Sequence, residues 1–239
     1  MNRFSIDNAF VVDWNATVKS SHRLQTIPNV ISGLEVKDNT CNDDSLTEVD
    51  LSRFQNMRKI EIGSNSLNQV SSLSLSNMPK LNSFTSGMNS LSQSQAFIAS
   101  NNPLLQQIGI GDQSFQLSSS FLLNELPKIS SLEIGSNCFK GSEKQSQQQY
   151  SSSLSFVLSD FDELRTVKLS SDSFTHFDTF EVSGKHIRIM IIIIVDCSNL
   201  IQLEIGNTTQ SSSPSPDNNM FTAVEQVTVR STIFTIFYC

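Results

Sequence analysis

The phrase IEIGSNSL at residues 60–67 returns as LEIGSNCF at residues 132–139, and the sequence is organised around this repeat. Related phrases are IGIGDQSF at residues 108–115 and LEIGNTT at residues 203–209. The glycine of the phrase recurs every 24 residues, at Gly63, Gly87, Gly111 and Gly135. A fixed period of this size indicates a solenoid, in which each repeat buries its apolar side only against the neighbouring repeats.

Several segments fit the pattern L-x-x-L-x-L-x-x-N-x-L. They are residues 31–41, 57–67, 129–139, 164–174 and 224–234. On these residues the chain resembles the leucine-rich-repeat family over about residues 31–239, and its phrase is similar to the repeats of large protist and bacterial surface proteins. The resemblance implies a β-rich, horseshoe-like leucine-rich-repeat solenoid. Its parallel sheet would have one strand per repeat, with short outer strands or turns and little helix.

The alternation of the phrase predicts which side chains lie inside each coil. In Leu132-Glu133-Ile134 the two apolar residues point inward and the glutamate points outward, as in a strand. An asparagine after the strand can hydrogen-bond backbone groups that the turn leaves unpaired. This column contains Asn39, Asn65, Asn89 and Asn137. Two places later we predict a buried apolar spine of Cys41, Leu67, Leu91, Phe115, Phe139, Phe174 and Phe234.

A second apolar pair precedes the phrase and predicts a short strand on the outer side of the coil, because its apolar residues alternate. The pairs are Leu73/Leu75, Phe97/Ala99, Phe121/Leu123, Phe156/Leu158 and Phe180/Val182. A short helical turn is the alternative for the segment that follows, which contains Pro79, Pro103 and Pro127.

Two insertions interrupt the period. Residues 141–151, GSEKQSQQQYS, are polar, and we expect them to form a surface loop. Residues 184–195, GKHIRIMIIIIV, are too apolar for such a loop. Deleting them brings residues 196–206 into register with residues 160–170. We therefore predict an artefact, such as a translated intron, which a native peptide containing IRIMIIII would contradict. The alternatives are a genuine extra strand and a partner-binding loop.

The two ends of the sequence depart from the repeat. Residues 1–30 fit it poorly and are predicted to be a degenerate N-terminal repeat or a cap, so that the solenoid spans residues 31–239. The last residues are apolar and contain no polar capping repeat, although solenoids need one for solubility. We therefore expect this chain to be a fragment of a larger protein.

Composition and motifs argue against several classes of function. A formal net charge of −7 and a pI near 4.9 disfavour nucleic-acid binding, which needs a basic stripe. The N-terminus lacks the pattern of a signal peptide, and the apolar run at residues 189–195 is too short to cross a membrane. No cysteine pair or histidine pair has metal-ligand spacing. These residues are Cys41, Cys138, Cys197, Cys239, His22, His176 and His186. We expect buried or terminal thiols, no metal, no cofactor and no catalytic site, so that the chain is not an enzyme.

The outward residues of the stacked strands form the predicted binding face. They are Lys59, Glu61, Ser83, Thr85, Gln107, Gly109, Ser131, Glu133, Thr166, Lys168, Gln202 and Glu204. We predict a protein-binding module with a protein partner, part of a larger receptor-like or adhesive surface protein, which would place the full-length protein at the cell surface. The alternatives are an intracellular scaffold and the recognition arm of a multidomain enzyme whose catalytic domain lies outside this chain.

Overall fold

The chain forms a parallel β-solenoid with a continuous sheet along each of two sides in the computed structural model. The structure describes residues 14–141, 155–159, 161, 163–174, 177, 179–183, 191–195, 202–206, 226–230 and 236–238. Sheet A contains β1 (Asn15–Val18), β2 (Gly33–Val36), β4 (Lys59–Ile62), β6 (Ser83–Ser86), β8 (Gln107–Ile110), β10 (Ser131–Ile134), β12 (Thr166–Leu169), β14 (Ile191–Val195) and β16 (Gln226–Arg230). Sheet B contains β3 (Glu48–Asp50), β5 (Ser72–Ser76), β7 (Ala96–Ser100), β9 (Ser120–Asn124), β11 (Ser155–Ser159), β13 (Thr179–Ser183), β15 (Gln202–Gly206) and β17 (Ile236–Tyr238).

Successive strands alternate between the sheets from β2 onward, so that one strand of each sheet belongs to each coil. In sheet A, Ile60 pairs with Phe84 and Phe84 pairs with Ile108. In sheet B, Leu73 pairs with Phe97. The predicted β-rich solenoid, with one parallel strand per repeat along its main sheet, is confirmed. The second apolar pair forms strands as well, and these join into sheet B, while the three prolines that follow lie in turns.

The centre of the solenoid is a double column of phenylalanines. The ring of Phe139 stacks on Phe115 with centroids 5.1 Å apart and on Phe174 with centroids 5.0 Å apart. Edge-on contacts join this column to a second one, formed by Phe97, Phe121 and Phe156. The predicted spine is therefore confirmed as far as Phe174, and it includes Cys41, which is 3% exposed. Phe234 lies outside the described residues.

Asparagines hold the corners where the chain leaves each sheet. Asn39, Asn65 and Asn89 have positive φ angles of 56°, 55° and 53°, a conformation that asparagine tolerates better than most residues. The Asn65 Nδ2 group donates to Asn39 Oδ1 at 3.1 Å, and Asn89 Nδ2 donates to Asn65 Oδ1 at 2.9 Å. A second ladder follows sheet B, where Asn101 Nδ2 donates to Asn77 Oδ1 at 2.7 Å. These side chains link neighbouring coils at both corners.

The first described coil has a helix in place of its sheet B strand. Strand β1 pairs with β2 in sheet A, and the helix α1 (Ser21–Thr26) follows it. The Ser20 hydroxyl caps this helix by accepting from the Arg23 backbone N–H at 3.3 Å. At its other end, an Arg53 guanidinium N–H donates to the Leu24 carbonyl at 2.9 Å. Of the predicted N-terminal repeat or cap at residues 1–30, residues 1–13 lie outside the described part of the chain.

The predicted placement of residues 202–206 in sheet A is wrong. Strand β15 lies in sheet B, paired with β13 and β17, and the corresponding place in sheet A belongs to β14. The physical reason is that strands alternate between the sheets. Residues 191–195 are a run of β-branched side chains that favours a strand, so they supply the next strand of sheet A. The following strand then falls in sheet B.

This register moves the excess length of that region to residues 207–225, between β15 and β16, which lie outside the described residues. The segment between β13 and β14 is only residues 184–190, close in length to residues 125–130 between β9 and β10. The absence of residues 184–195 from the native protein stays a prediction. The polar insert predicted at 141–151 also lies outside the described residues, except for Gly141, whose backbone N–H donates to the Gln116 carbonyl at 3.1 Å.

Candidate functional site

Sheet A aligns all the predicted binding residues between 59 and 168 on its outward side. The register places them in two columns that run across the strands. The first column is Lys59, Ser83, Gln107, Ser131 and Thr166. The second column is Glu61, Thr85, Gly109, Glu133 and Lys168. All of these residues are half-exposed or exposed. Within each column, the outward residue of one strand lies beside the outward residue of the strand in the next coil. We call this surface the sheet A face.

The structure does not bring Gln202 and Glu204 to the sheet A face. Both belong to β15 of sheet B, where Glu204 pairs with Glu181 of β13. Apolar alternation cannot distinguish the two sheets, because the inward residues of both sheets alternate in the same way. The similarity of residues 203–206 to residues 132–135 was therefore insufficient to place them.

Ion pairs and hydrogen bonds hold the charged side chains at the N-terminal end of the sheet A face. Lys59 Nζ lies 2.8 Å from Glu61 Oε1 on the same strand. The Lys37 ammonium contacts Glu35, and the Thr17 hydroxyl donates to Glu35 Oε2 at 2.9 Å. The hydrogen bond from Lys37, followed by that from Thr17, lowers the pKa of the Glu35 carboxyl below its usual value. This end of the face is therefore polar and of mixed charge.

The second column of the sheet A face has no side chain at Gly109, and we call the gap that this leaves between Thr85 and Glu133 the depression. A Cβ at this position would meet only Thr85 Cγ2, at the ordinary contact distance of 3.5 Å. Packing therefore does not require glycine here, although glycine inside a strand is unfavourable and leaves no side chain to pack. A glycine in such a position is typical of a close approach by a ligand or another backbone. Thr85 and Glu133 border the depression on the two adjacent strands.

Gly111, which follows strand β8, is required for a different reason. A Cβ on Gly111 would lie 2.6 Å from the Gly87 carbonyl carbon and 2.8 Å from the Met88 nitrogen. Gly63 and Gly135 have equally short distances to the backbone or side chains of the preceding coil. The register glycines therefore let neighbouring coils approach closely, which keeps the strands of the sheet A face at regular spacing.

A buried ladder of four serine hydroxyls and one cysteine thiol lies beneath this corner, and sequence reasoning missed it. Its members are fully buried and occupy the place between the asparagine and the apolar spine. They are Ser66, Ser90, Ser114, Cys138 and Ser173. The Ser90 hydroxyl donates to the Gly87 carbonyl at 2.9 Å, and the Cys138 thiol donates to the Gly111 carbonyl at 3.2 Å. The recurrence of serine one place before the apolar spine residue was the available signal.

Cys138 has the properties of a structural thiol, not of a nucleophile. Burial raises its pKa from 9.0 to about 12. Reactive cysteines have lowered pKa values and accessible sulfur atoms. Cys41 is also buried, with a raised pKa caused by desolvation. The prediction of buried thiols is confirmed for these two, while Cys197 and Cys239 lie outside the described residues.

Replacing Cys138 by serine should remove a loss of stability at alkaline pH. The buried thiol stays protonated when folded, whereas the unfolded chain ionises above pH 9.0. The contribution of the protonated Cys138 thiol to the free energy of unfolding is therefore complete below pH 9 and is lost between pH 9 and about 12. By linkage, the thiol's contribution falls by about 1.4 kcal/mol at about pH 10. Urea unfolding of the two proteins from neutral to alkaline pH measures this. Serine is the matched replacement, because it fills the same place in other coils, and identical pH profiles would contradict the assignment.

Asn102 is a second buried polar residue that sequence reasoning missed. Its side chain is fully buried, its Oδ1 atom accepts from the Met78 backbone N–H at 2.8 Å, and its Nδ2 group donates to the Leu75 carbonyl. Both of its polar atoms are therefore paired with the backbone of the preceding coil. Asn102 stabilises the corner after sheet B and is not available to a ligand.

The described residues contain no group of three or more His, Cys, Asp or Glu side chains arranged to hold a metal ion. His22 lies on α1, and His176 and His186 lie outside the described residues. Within the same part of the chain, no helix is long and apolar enough to cross a membrane.

The candidate site is therefore the sheet A face, with its two outward columns and the depression at Gly109. Comparison of the sequence and the fold with known protein families, with curated proteins and with solved structures gives no match.

Proposed function

We propose that the chain is a protein-binding module that engages its partner through the sheet A face, as part of a receptor-like or adhesive protein. The observation that supports this proposal is the depression at Gly109, where a strand keeps a glycine that its own packing does not require. Around it, hydroxyl, amide and carboxylate groups recur on adjacent strands, and they can orient a partner by hydrogen bonds.

A rigid scaffold makes such a surface useful for binding. The strands beneath it are fixed by the phenylalanine columns, by the asparagine ladders and by the close approach at the register glycines. A surface that is ordered before binding loses little conformational entropy on association. A partner segment can thus lie in the depression while its flanks contact Thr85 and Glu133.

Substituting valine for Gly109 should weaken partner binding while making the fold slightly more stable. A valine side chain fills the depression, and replacing a strand glycine by a β-branched residue should raise the free energy of unfolding by about 0.5–1 kcal/mol. To identify the partner, a photo-crosslinker is placed at Gln107 and exposed to extracts of the source cells. The affinity of the purified partner for the two proteins is then measured, and we expect a loss of at least about tenfold.

The matched control places the crosslinker at Ser100 on the outward side of sheet B. Its crosslinked products should differ from those obtained at Gln107. The proposal is wrong if Gln107 captures no protein beyond those captured at Ser100, or if the partner binds the G109V chain as tightly as the wild type. Thermal unfolding of the G109V chain distinguishes a loss of binding from a loss of folding.

A further inference from the structure

The outward side of sheet B is a second surface, and its chemistry differs from that of the sheet A face. Its central row crosses β5, β7, β9 and β11 through Ser74, Ile98, Leu122 and Val157. Ile98, Leu122 and Val157 are each half-exposed, so three coils in succession present an aliphatic side chain to solvent. We call the outward side of these four strands the neutral face.

The rows on either side of this apolar row contain small or amide side chains. One row contains Ser72, Ala96 and Ser120, and the other contains Ser76, Ser100, Asn124 and Ser159. Neighbouring members of the second row are hydrogen-bonded, since Ser100 Oγ donates to Ser76 Oγ at 2.9 Å and Ser159 Oγ donates to Asn124 Oδ1 at 2.8 Å. The side chains described on the neutral face include no ionisable group.

Acidic residues border the neutral face at both ends of the apolar row. On the edge strand β3, Asp50 pairs with Ser74 at one end of the row. On β13, Glu181 pairs with Val157 at the other end. Both carboxylates are exposed. The uncharged area is therefore bounded along the solenoid axis, in a chain whose formal net charge is −7.

We propose that two copies of this chain associate face to face through the neutral face. Two copies that each carry a net charge of −7 repel each other, and this face brings together no charged side chains except at its ends. The face repeats from coil to coil, so it is complementary to itself under the two-fold symmetry of an isologous dimer. The apolar rows of the two copies then pack against each other as the facing layers of two aligned sheets.

The area of the neutral face indicates a weak dimer. Four strands about 4.8 Å apart, each with five residues rising about 3.3 Å, cover roughly 300 Å² of flat surface. A standard stable interface buries about 800 Å² on each partner. The association is therefore reversible, and the fraction of dimer rises with the protein concentration. It leaves both copies of the sheet A face exposed, so it is compatible with the proposed partner binding and independent of it.

Salt should strengthen this association. If the two-fold axis runs along the solenoid, Asp50 lies near the other copy's Asp50, and if it runs across the solenoid, Asp50 lies near the other copy's Glu181. Either arrangement brings carboxylates together at the ends of the face, and salt screens this repulsion. A dimer held by ion pairs would show the opposite dependence.

The test is sedimentation velocity of the purified chain over a concentration series at low and high salt. We expect the average mass of the wild type to rise from monomer toward dimer with concentration, and to rise further at high salt. The L122E substitution introduces a charge into the centre of the neutral face. It should weaken the association by at least about tenfold, because a buried unpaired charge is strongly unfavourable.

The matched control is T85E, which adds the same charge at a half-exposed position of the sheet A face and should dimerise like the wild type. A wild type that stays monomeric throughout the series would overturn the proposal, and so would equal weakening by L122E and T85E. If L122E does not fold, I98T keeps a β-branched, uncharged residue in the apolar row. It should weaken association several-fold, and unchanged association would likewise overturn the proposal.

Discussion

Replacing Phe139 by alanine is expected to lower the free energy of unfolding by about 3–5 kcal/mol. The side chain is fully buried and stacks between Phe115 and Phe174, with centroids 5.1 Å and 5.0 Å away. It also meets the edge of Phe121 at 5.0 Å. Alanine removes these ring contacts and leaves a cavity that the flanking coils, held by their own strand pairing, cannot close.

Urea unfolding followed by circular dichroism measures this loss. The matched control is F139L, because Leu67 and Leu91 occupy the same place in earlier coils. Leucine keeps most of the buried apolar volume and should cost clearly less than alanine. Phe139 has a φ angle of 50°, and since leucine and alanine both keep a Cβ, backbone strain does not distinguish them. Equal losses for the two variants would show that the stacked rings are not the source of the stability.

Replacing Gly111 by alanine is expected to lower the free energy of unfolding by about 1–3 kcal/mol. The added Cβ would lie 2.6 Å from the carbonyl carbon and 2.8 Å from the carbonyl oxygen of Gly87. The atoms in the way are backbone, so no side chain can rotate to make room. The two coils must separate at this corner, which weakens the hydrogen bond from the Gly111 N–H to the Ser86 carbonyl, 2.9 Å in the native fold.

The matched control for this prediction is G109A, two residues earlier on β8, the strand that ends just before Gly111. Its Cβ would meet only Thr85 Cγ2 at 3.5 Å, so alanine should be neutral or slightly stabilising there. Both variants exchange the same atoms, and only the position in the coil differs. Urea unfolding of G111A, G109A and wild type decides the matter, and equal effects of the two substitutions would contradict the explanation from close approach.

The solenoid could be predicted from the sequence because its stabilising features recur at a fixed spacing. The same inward places return in each coil as Ile60, Ile108 and Leu132, and a parallel sheet aligns residues of the same place. The asparagine column was predictable for the same reason, since Asn65 and Asn89 each follow a strand by the same number of residues. A periodic sequence reveals contacts between coils although they lie far apart along the chain.

The candidate site was predictable only in part. Lys59, Ser83 and Gln107 align as expected, because outward positions alternate with inward ones along a strand. The depression at Gly109 was not evident, because a glycine that avoids a clash and one that leaves space open look the same in a sequence. The neutral face was missed for a related reason. Its apolar residues Ile98, Leu122 and Val157 lie between inward residues of the same strands, and only the pairing of strands shows that they form one row.

The sequence by itself determined the length of the coil, the inward and outward sides of the repeated strands and the identity of the spine residues. All of these follow from local periodicity, which each repeat expresses on its own. Only the tertiary structure decided that the outer strands join into a second sheet, that β14 belongs to sheet A and β15 to sheet B, and which glycines are required by close approach. Those features depend on which strand or backbone lies beside a given one, and hydrogen bonding and packing between coils select that neighbour.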